Sequence, residues 1–263
     1  MSDLSALYEA PGPLGRRRNR IISVLVWAGL AALLGYVLYR FQVTGQLAPE
    51  KWTPFLYGDI QKVLFEGLLN TLKSALLGSV LAIGIGIIFA LMRLSERRLL
   101  RVIATACIEF FRGLPVLLIM FAIYMMFDVS AFIAVVGGLA LFNGMVLAEI
   151  IRAGILAVPR GQREAGLSIG LGSFRTMWLI LLPQAFRTML PTIISQVIVL
   201  LKDSALGYIV SFHELVYAVN QVGRAYHNLL PTFIVGAAIF IVINLGVNAF
   251  AVWLERRLAT SRR

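Results

Sequence analysis

Three observations in this sequence predict an all-α fold that crosses a membrane six times. Of its 263 residues, 59% are hydrophobic and 14% charged, with a mean hydropathy of +0.85, more apolar than a soluble domain needs to fill its core. Apolar runs recur at about the 20-residue length that a helix needs to cross hydrocarbon. The basic residues cluster between alternate runs instead of spreading along the chain.

The elements follow in order. Residues 1–20 form a tail rich in Pro and Gly (Pro11, Gly12, Pro13, Gly15) that ends in 16-RRRNR-20, and Ile21 to about Tyr39 form the first span. That span is read as retained, because its basic cluster comes late, its core is long and no A-x-A site follows. Residues 40–66, with Pro49, Lys51, Pro54 and Asp59, read as a polar connection. The second span covers about 67–92 and runs into 93-RLSERRLLR-101; the third, 102–127, is interrupted by 109-EFFRGLP-115. A tight turn near Asp128 leads to the fourth span, 131–151, and a connection covers 152–175. The stretch 176–201 is apolar but carries Pro183 and Pro191, 202–231 is mixed, and 232–254 is a final span before 255-ERRLATSRR-263. Four pieces result: tail 1–20, an N-terminal span with its outer loop to 59, a core over 60–255, and a tail 256–263.

Charge placement orients these spans. Sixteen of the 24 Lys and Arg flank alternate spans: Arg16, Arg17, Arg18 and Arg20; Arg93, Arg97, Arg98 and Arg101; Arg152, Arg160, Arg163 and Arg175; Arg256, Arg257, Arg262 and Arg263. Lys and Arg accumulate on the cytoplasmic side, so both termini and the connection 152–175 are expected inside a bacterial plasma membrane. The net charge of +11 therefore carries no nucleic-acid reading, since four separate flanks make no recognition surface. Cys107, the lone cysteine, excludes an internal disulfide and reads as packing. His213 and His227 stand fourteen residues apart with no Cys or His at ligand spacing, and 213-HEL-215 lacks a second His, so no metal site is expected. The glycines 84-GIG-86 read as a close helix contact.

The polar stretch 161-GQREAGLSIG-170 interrupts this pattern. Pro159 suits the start of a helix and Gly170 a sharp exit, which predicts a short cytoplasmic helix over about 159–170. Read onward, 164-EAGLSIGLGSFRTMWLILLP-183 resembles the signature of ABC-importer permeases: Glu-Ala-Ala, Gly after three residues, and Ile-x-Leu-Pro after nine more. Glu164, Ala165, Gly170, Ile180, Leu182 and Pro183 match it, and Gly166 departs from the second Ala. The order 109-EFFRGLPVLL-118, 146-VLAEIIRAGILAVPRGQREAG-166, 183-PQAFRTMLP-191 and 201-LKDSALGYIV-210 is similar to the polar amino acid branch of these permeases. The tail 7-LYEAPGPLGRRRN-19 and its extra span resemble glutamate-uptake permeases of actinobacteria.

The resemblance implies a five-helix type I permease core plus one N-terminal helix. It implies that Arg160, Gly161, Gln162, Arg163, Glu164, Ala165, Gly166 and Gly170 form a coupling helix that docks on a separate ATPase. It further implies two ATPase copies, an extracytoplasmic amino-acid-binding protein and a second permease, a heterodimer being favoured over a homodimer. ATP and Mg would be held by the ATPase and no cofactor by this chain, in keeping with the absence of G-x-x-x-x-G-K-[ST] from the sequence. A stand-alone secondary transporter or channel would fit the composition but has no use for such a helix.

Ionisable and amide groups inside spans are the candidates for a substrate path, because stranding them in hydrocarbon is costly. Glu109 and Arg112, at i and i+3, can pair on one face of the third span or meet substrate. Asn143 and Glu149, six apart, lie on different faces of the fourth. Lys202 and Asp203 can pair with each other; Lys202 or Arg112 would suit a substrate carboxylate, with Ser204 assisting.

Overall fold

The computed structural model describes residues 12–260, and every regular element among them is helical. The earlier part of the N-terminal tail, Ser261, Arg262 and Arg263 lie outside the described residues. The chain forms two compact units, Met1–Pro54 and Phe55–Arg263. In the first, helix α1 (Pro13–Val43) begins at a proline that pre-sets the helical φ, and from Ile21 to Tyr39 it is apolar around its circumference, as a single helix in lipid must be. Gly45 at φ +66° reverses the chain, and Gln46 then accepts from the Trp52 indole at 3.0 Å through its carbonyl.

The second unit contains α2 (Gly58–Arg93), α3 (Arg98–Gly113), α4 (Val116–Phe127), α5 (Ala131–Ala157), the short α6 (Arg160–Ser168) and α7 (Ser173–Thr176). A π-helical turn (Met177–Leu181), α8 (Leu182–Asp203), a 3-10 segment (Ser204–Val210), α9 (Leu215–Ala225) and α10 (Leu229–Thr260) complete it. Five helical stretches are long and apolar enough to cross a membrane, and the pair α3–α4 makes a sixth if taken as one bent crossing. The bend between α3 and α4 is 101°, sharper than the kink that 109-EFFRGLP-115 predicts. Pro115 causes it: the residue before a proline is driven from helical to extended geometry, and Leu114 sits at ψ 139°. Asp128 takes a left-handed φ of +48° and closes the expected turn into α5.

Helix α2 begins nine residues earlier than the apolar run at 67 suggests. Lys62 and Glu66 dilute that stretch, yet Ile60 and Leu64 are buried with Leu215, Ala218 and Val219 of α9. Packing thus continues a helix where hydropathy falls off.

The core is built on small residues. Gly78 faces Leu139, and Gly86 lies so near Leu147 that a Cβ on it would come within 2.8 Å, so α2 and α5 run parallel in close contact. Gly144 of α5 is equally tight against Ile85. In lipid, where apolar burial supplies no net drive, such van der Waals fit is what joins helices. Helix α8 returns antiparallel to α5, with Gly154 against Met189. The π turn precedes Pro183, whose ring clashes with the carbonyl four residues back in an ordinary helix, and the wider turn relieves that clash. α2 and α5 therefore finish at the same end of the bundle, beside α6; that end carries Arg93, Arg97, Arg98, Arg101, Arg152, Arg160 and Arg163.

Candidate functional site

Helix α6 is a nine-residue element with a defined start and stop. Pro159 is its N-cap, one residue before the helix proper. At the other end Gly170, at φ +84°, donates to the Leu167 carbonyl at 3.0 Å while Leu171 donates to the Gly166 carbonyl at 3.1 Å. This paired reversal satisfies the last carbonyls and needs a residue without a Cβ at Gly170. Gly166 is the buried residue of the helix, and a Cβ there would come within 2.8 Å of Thr176 and 2.9 Å of Ile180. The departure from Ala thus has a local reason: α6 is pressed onto the Thr176 side chain of α7 and the Ile180 side chain of the π turn. Gln184 of α8 fastens it further by donating to the Gln162 side chain at 3.1 Å.

The rest of α6 faces outward. Arg160, Gly161, Arg163, Glu164 and Ala165 are exposed, and Leu167 and Ile169 are 42% and 75% exposed. Arg163 reaches Glu96 in the α2–α3 loop at 3.6 Å. Glu164 has no ion pair among the described residues, although the same turn holds two arginines.

Behind α6 lies an ionic knot. Glu149 of α5 accepts from Arg152 at 3.0 Å and also bonds Arg93 at the end of α2; Arg93 in turn lies 3.8 Å from Glu109. The expected Glu109–Arg112 pair is therefore replaced by Glu109–Arg93. Arg93 projects from the end of the neighbouring helix α2 to meet Glu109. Arg112 is exposed and has no ion pair among the described residues. Glu149 is a brace between α2 and α5.

A second polar group sits deep in the bundle. Asn143 of α5, fully buried, accepts from the Gln196 side chain of α8 at 2.7 Å and donates to the Leu139 carbonyl at 3.1 Å. Its side chain is also within hydrogen-bonding reach of Asp203 at the end of α8. Ser204, fully buried, donates to the Leu201 carbonyl at 2.7 Å. The structure thus brings Asn143 and Asp203 together and leaves Glu149 and Glu109 in the other cluster. Lys202 is exposed and makes no ion pair with Asp203: consecutive residues on a helix point about 100° apart. Sequence reasoning missed Gln196 and Arg93; Gln196, an amide inside the apolar stretch of α8, carried the signal.

The opposite end of the bundle holds a buried acid. Glu214 is fully buried and caps α9 by accepting from the backbone N–H of Val216 and of Tyr217, both at 2.8 Å. Burial pushes its carboxyl up to about 7, against the lowering effect of those two bonds. Beside it an open cleft of about 620 Å³ is lined by Tyr208, Tyr217, Asn220, Gln221 and Arg224, with Arg224 donating to the Tyr208 hydroxyl at 3.3 Å.

The signature segment with its packed, reversing helix is the decisive feature, and the family description "binding-protein-dependent transport system inner membrane component" matches residues 82–260. This chain belongs to that family. As a permease of the inner membrane it is a multi-pass transport component, which sets aside the stand-alone transporter reading. The permease is 43% identical to the glutamate transport system permease protein GluD of Corynebacterium glutamicum over 227 residues, 83% of each chain. It is 31% identical to the arginine transport system permease protein ArtQ of Bacillus subtilis, over 75% of this chain and 93% of that one. Its fold is similar to a crystal structure of an amino acid ABC transporter with histidines, at 32% identity and a TM-score of 0.69, covering 80% of this permease and 97% of that chain. The MetNI methionine ABC transporter in inward-facing form shares the fold, with a TM-score of 0.63 at 18% identity.

Proposed function

We propose that this permease is the membrane-spanning subunit of an ATP-driven importer of glutamate or another polar amino acid, and that α6 is its coupling helix. The observation that carries the reading is the state of α6. Its inner face is packed through Gly166, while Glu164, Leu167 and Ile169 stand exposed at the tip of the arginine-rich end. An exposed apolar tip beside an unpaired carboxylate, on a helix anchored at both ends, suits insertion into a groove of a partner protein. Relatives named as permeases of glutamate and arginine transport support the substrate class.

In this reading two such permease subunits, preferentially two different ones, form the path, with two ATPases and an external amino-acid-binding protein. ATP and Mg belong to the ATPases. The arginine-rich end and both termini face the cytoplasm, where Lys and Arg are retained. Gln196 and Asp203, half-buried around the fully buried Asn143, offer amide and carboxylate groups to a zwitterionic solute, and Ser204 adjoins them; Lys202 and Arg112, both exposed, are cations available to a carboxylate. Closure of the ATPases would move α6 as a rigid lever, with the Glu149 knot passing that motion to α2 and α5.

The test is reconstitution of the assembled transporter in vesicles with glutamate outside and ATP inside. Glu164→Ala is expected to lower ATP-driven uptake at least tenfold while the permease keeps its melting temperature. Unchanged uptake would remove the coupling assignment, and uptake of sugar or phosphate in place of amino acids would remove the substrate class.

A further inference from the structure

Helix α3 divides around its circumference into three sectors. Arg98, Arg101, Thr105, Glu109 and Arg112 follow one another at three- and four-residue steps and so form one polar stripe. Ala104 and Ile108 are buried, with Cys107 and Phe111 packed on the same core. The remaining sector is apolar and open: Leu99 is 71% exposed, Val102 56% and Phe110 62%. In a membrane protein an exposed apolar sector of this kind meets lipid chains. A polar stripe beside an open apolar sector suits the boundary between headgroups and acyl chains, and α3 starts at the arginine-rich end and is turned 101° from α4.

The charge of that stripe is one-sided. Its acid, Glu109, is engaged by Arg93, and the nearby Glu96 by Arg163. Arg97, Arg98, Arg101 and Arg112 are all exposed and have no ion pair among the described residues. Arg97, the N-cap of α3, and Arg98 and Arg101 in its first turn lie within five residues of one another.

From this juxtaposition we infer that α3 holds a binding site for acidic phospholipid headgroups, with Arg97, Arg98 and Arg101 on the phosphates and Leu99, Val102 and Phe110 against the acyl chains. A guanidinium fork matches phosphate geometry, and the neighbouring apolar sector fixes the lipid alongside. The site adjoins the loop in which Glu96 contacts Arg163 of α6. It stands whether or not α6 engages an ATPase.

The experiment uses the full chain, extracted in mild detergent from vesicles of equimolar phosphatidylglycerol and phosphatidylcholine, with the co-purifying lipid quantified by mass spectrometry. Each arginine near an acidic surface contributes about fivefold to partitioning. The wild type is expected to retain phosphatidylglycerol over phosphatidylcholine, and the triple variant R97Q/R98Q/R101Q to lose that enrichment tenfold or more. R97K/R98K/R101K keeps most of it, and so does R17Q/R18Q/R20Q, which removes the same charge elsewhere. A wash of the unmutated protein in 0.5 M salt lowers the enrichment without any substitution, since screening shortens the reach of exposed charges. Undiminished enrichment in R97Q/R98Q/R101Q overturns the site, as does an equal loss in R17Q/R18Q/R20Q or a wild type indifferent to headgroup charge. Loss of a co-purifying ATPase from R97Q/R98Q/R101Q with lipid unchanged would instead make the stripe a protein contact.

Discussion

Two polar regions of this permease treat their polar groups in opposite ways. At α6 they are exposed and Glu164 is left without an ion pair, whereas Asn143 is fully buried and its half-buried neighbours Gln196 and Asp203 bond to it. The difference follows from where water is. Groups at the end of the bundle cost little when unpaired and can await a partner, but groups among the spans must be paired within the fold or must meet solute. The first region therefore bears on coupling with little effect on stability, and the second bears on both.

Substitutions can break this contrast. Asn143→Leu strips the Gln196 amide of its acceptor and the Asp203 carboxylate of a donor. It is expected to cost roughly 3–5 kcal/mol, seen as a large fall in melting temperature in detergent. A fall as small as that of a surface variant would show the buried cluster to be unimportant for folding. Glu214→Gln comes next and is read through pH. The Glu214 carboxyl titrates near 4.5 when unfolded and at about 7 when folded. Its proton therefore favours the fold: that contribution is full below 4.5 and lost as pH rises through about 7, on the order of 3 kcal/mol in all. The wild type should lose melting temperature between pH 5 and pH 8, and Glu214→Gln should flatten that slope while its amide oxygen still caps α9.

Gly170→Val addresses the first region. A branched side chain at φ +84° costs about 1–2 kcal/mol and opens the reversal after α6. Its expected signature is a small melting shift with a large loss of uptake; a large melting shift with normal uptake would invert the contrast between the two regions. Glu96→Gln is the mildest. The 3.6 Å contact to Arg163 is exposed on both sides, so less than about 1 kcal/mol is expected and uptake should be near normal.

Much of α6 was legible before any coordinates. Pro159, Gly170 and the spacing from Glu164 to Pro183 are local features, and a short helix with a glycine stop is decided by local backbone chemistry. The reason for Gly166 was not legible, because the Thr176 and Ile180 side chains that exclude a Cβ come from a different helix. The substrate-path candidates divide the same way. That Asn143 and Glu149 point apart follows from helical period alone, but that Asn143 meets Gln196 and Asp203, and Glu149 meets Arg93, depends on how α5 sits against α8 and α2.

Hydropathy, charge flanks and turn residues act over a few residues, so the membrane class, the approximate spans, the arginine-rich end and the position of the short helix can be read along the chain. Tertiary structure alone decided the early start of α2, the 101° turn after α3, and which ionisable groups are partners. Those outcomes rest on side chains far apart in the chain fitting at van der Waals distance, and spacing along one helix carries no record of its neighbour.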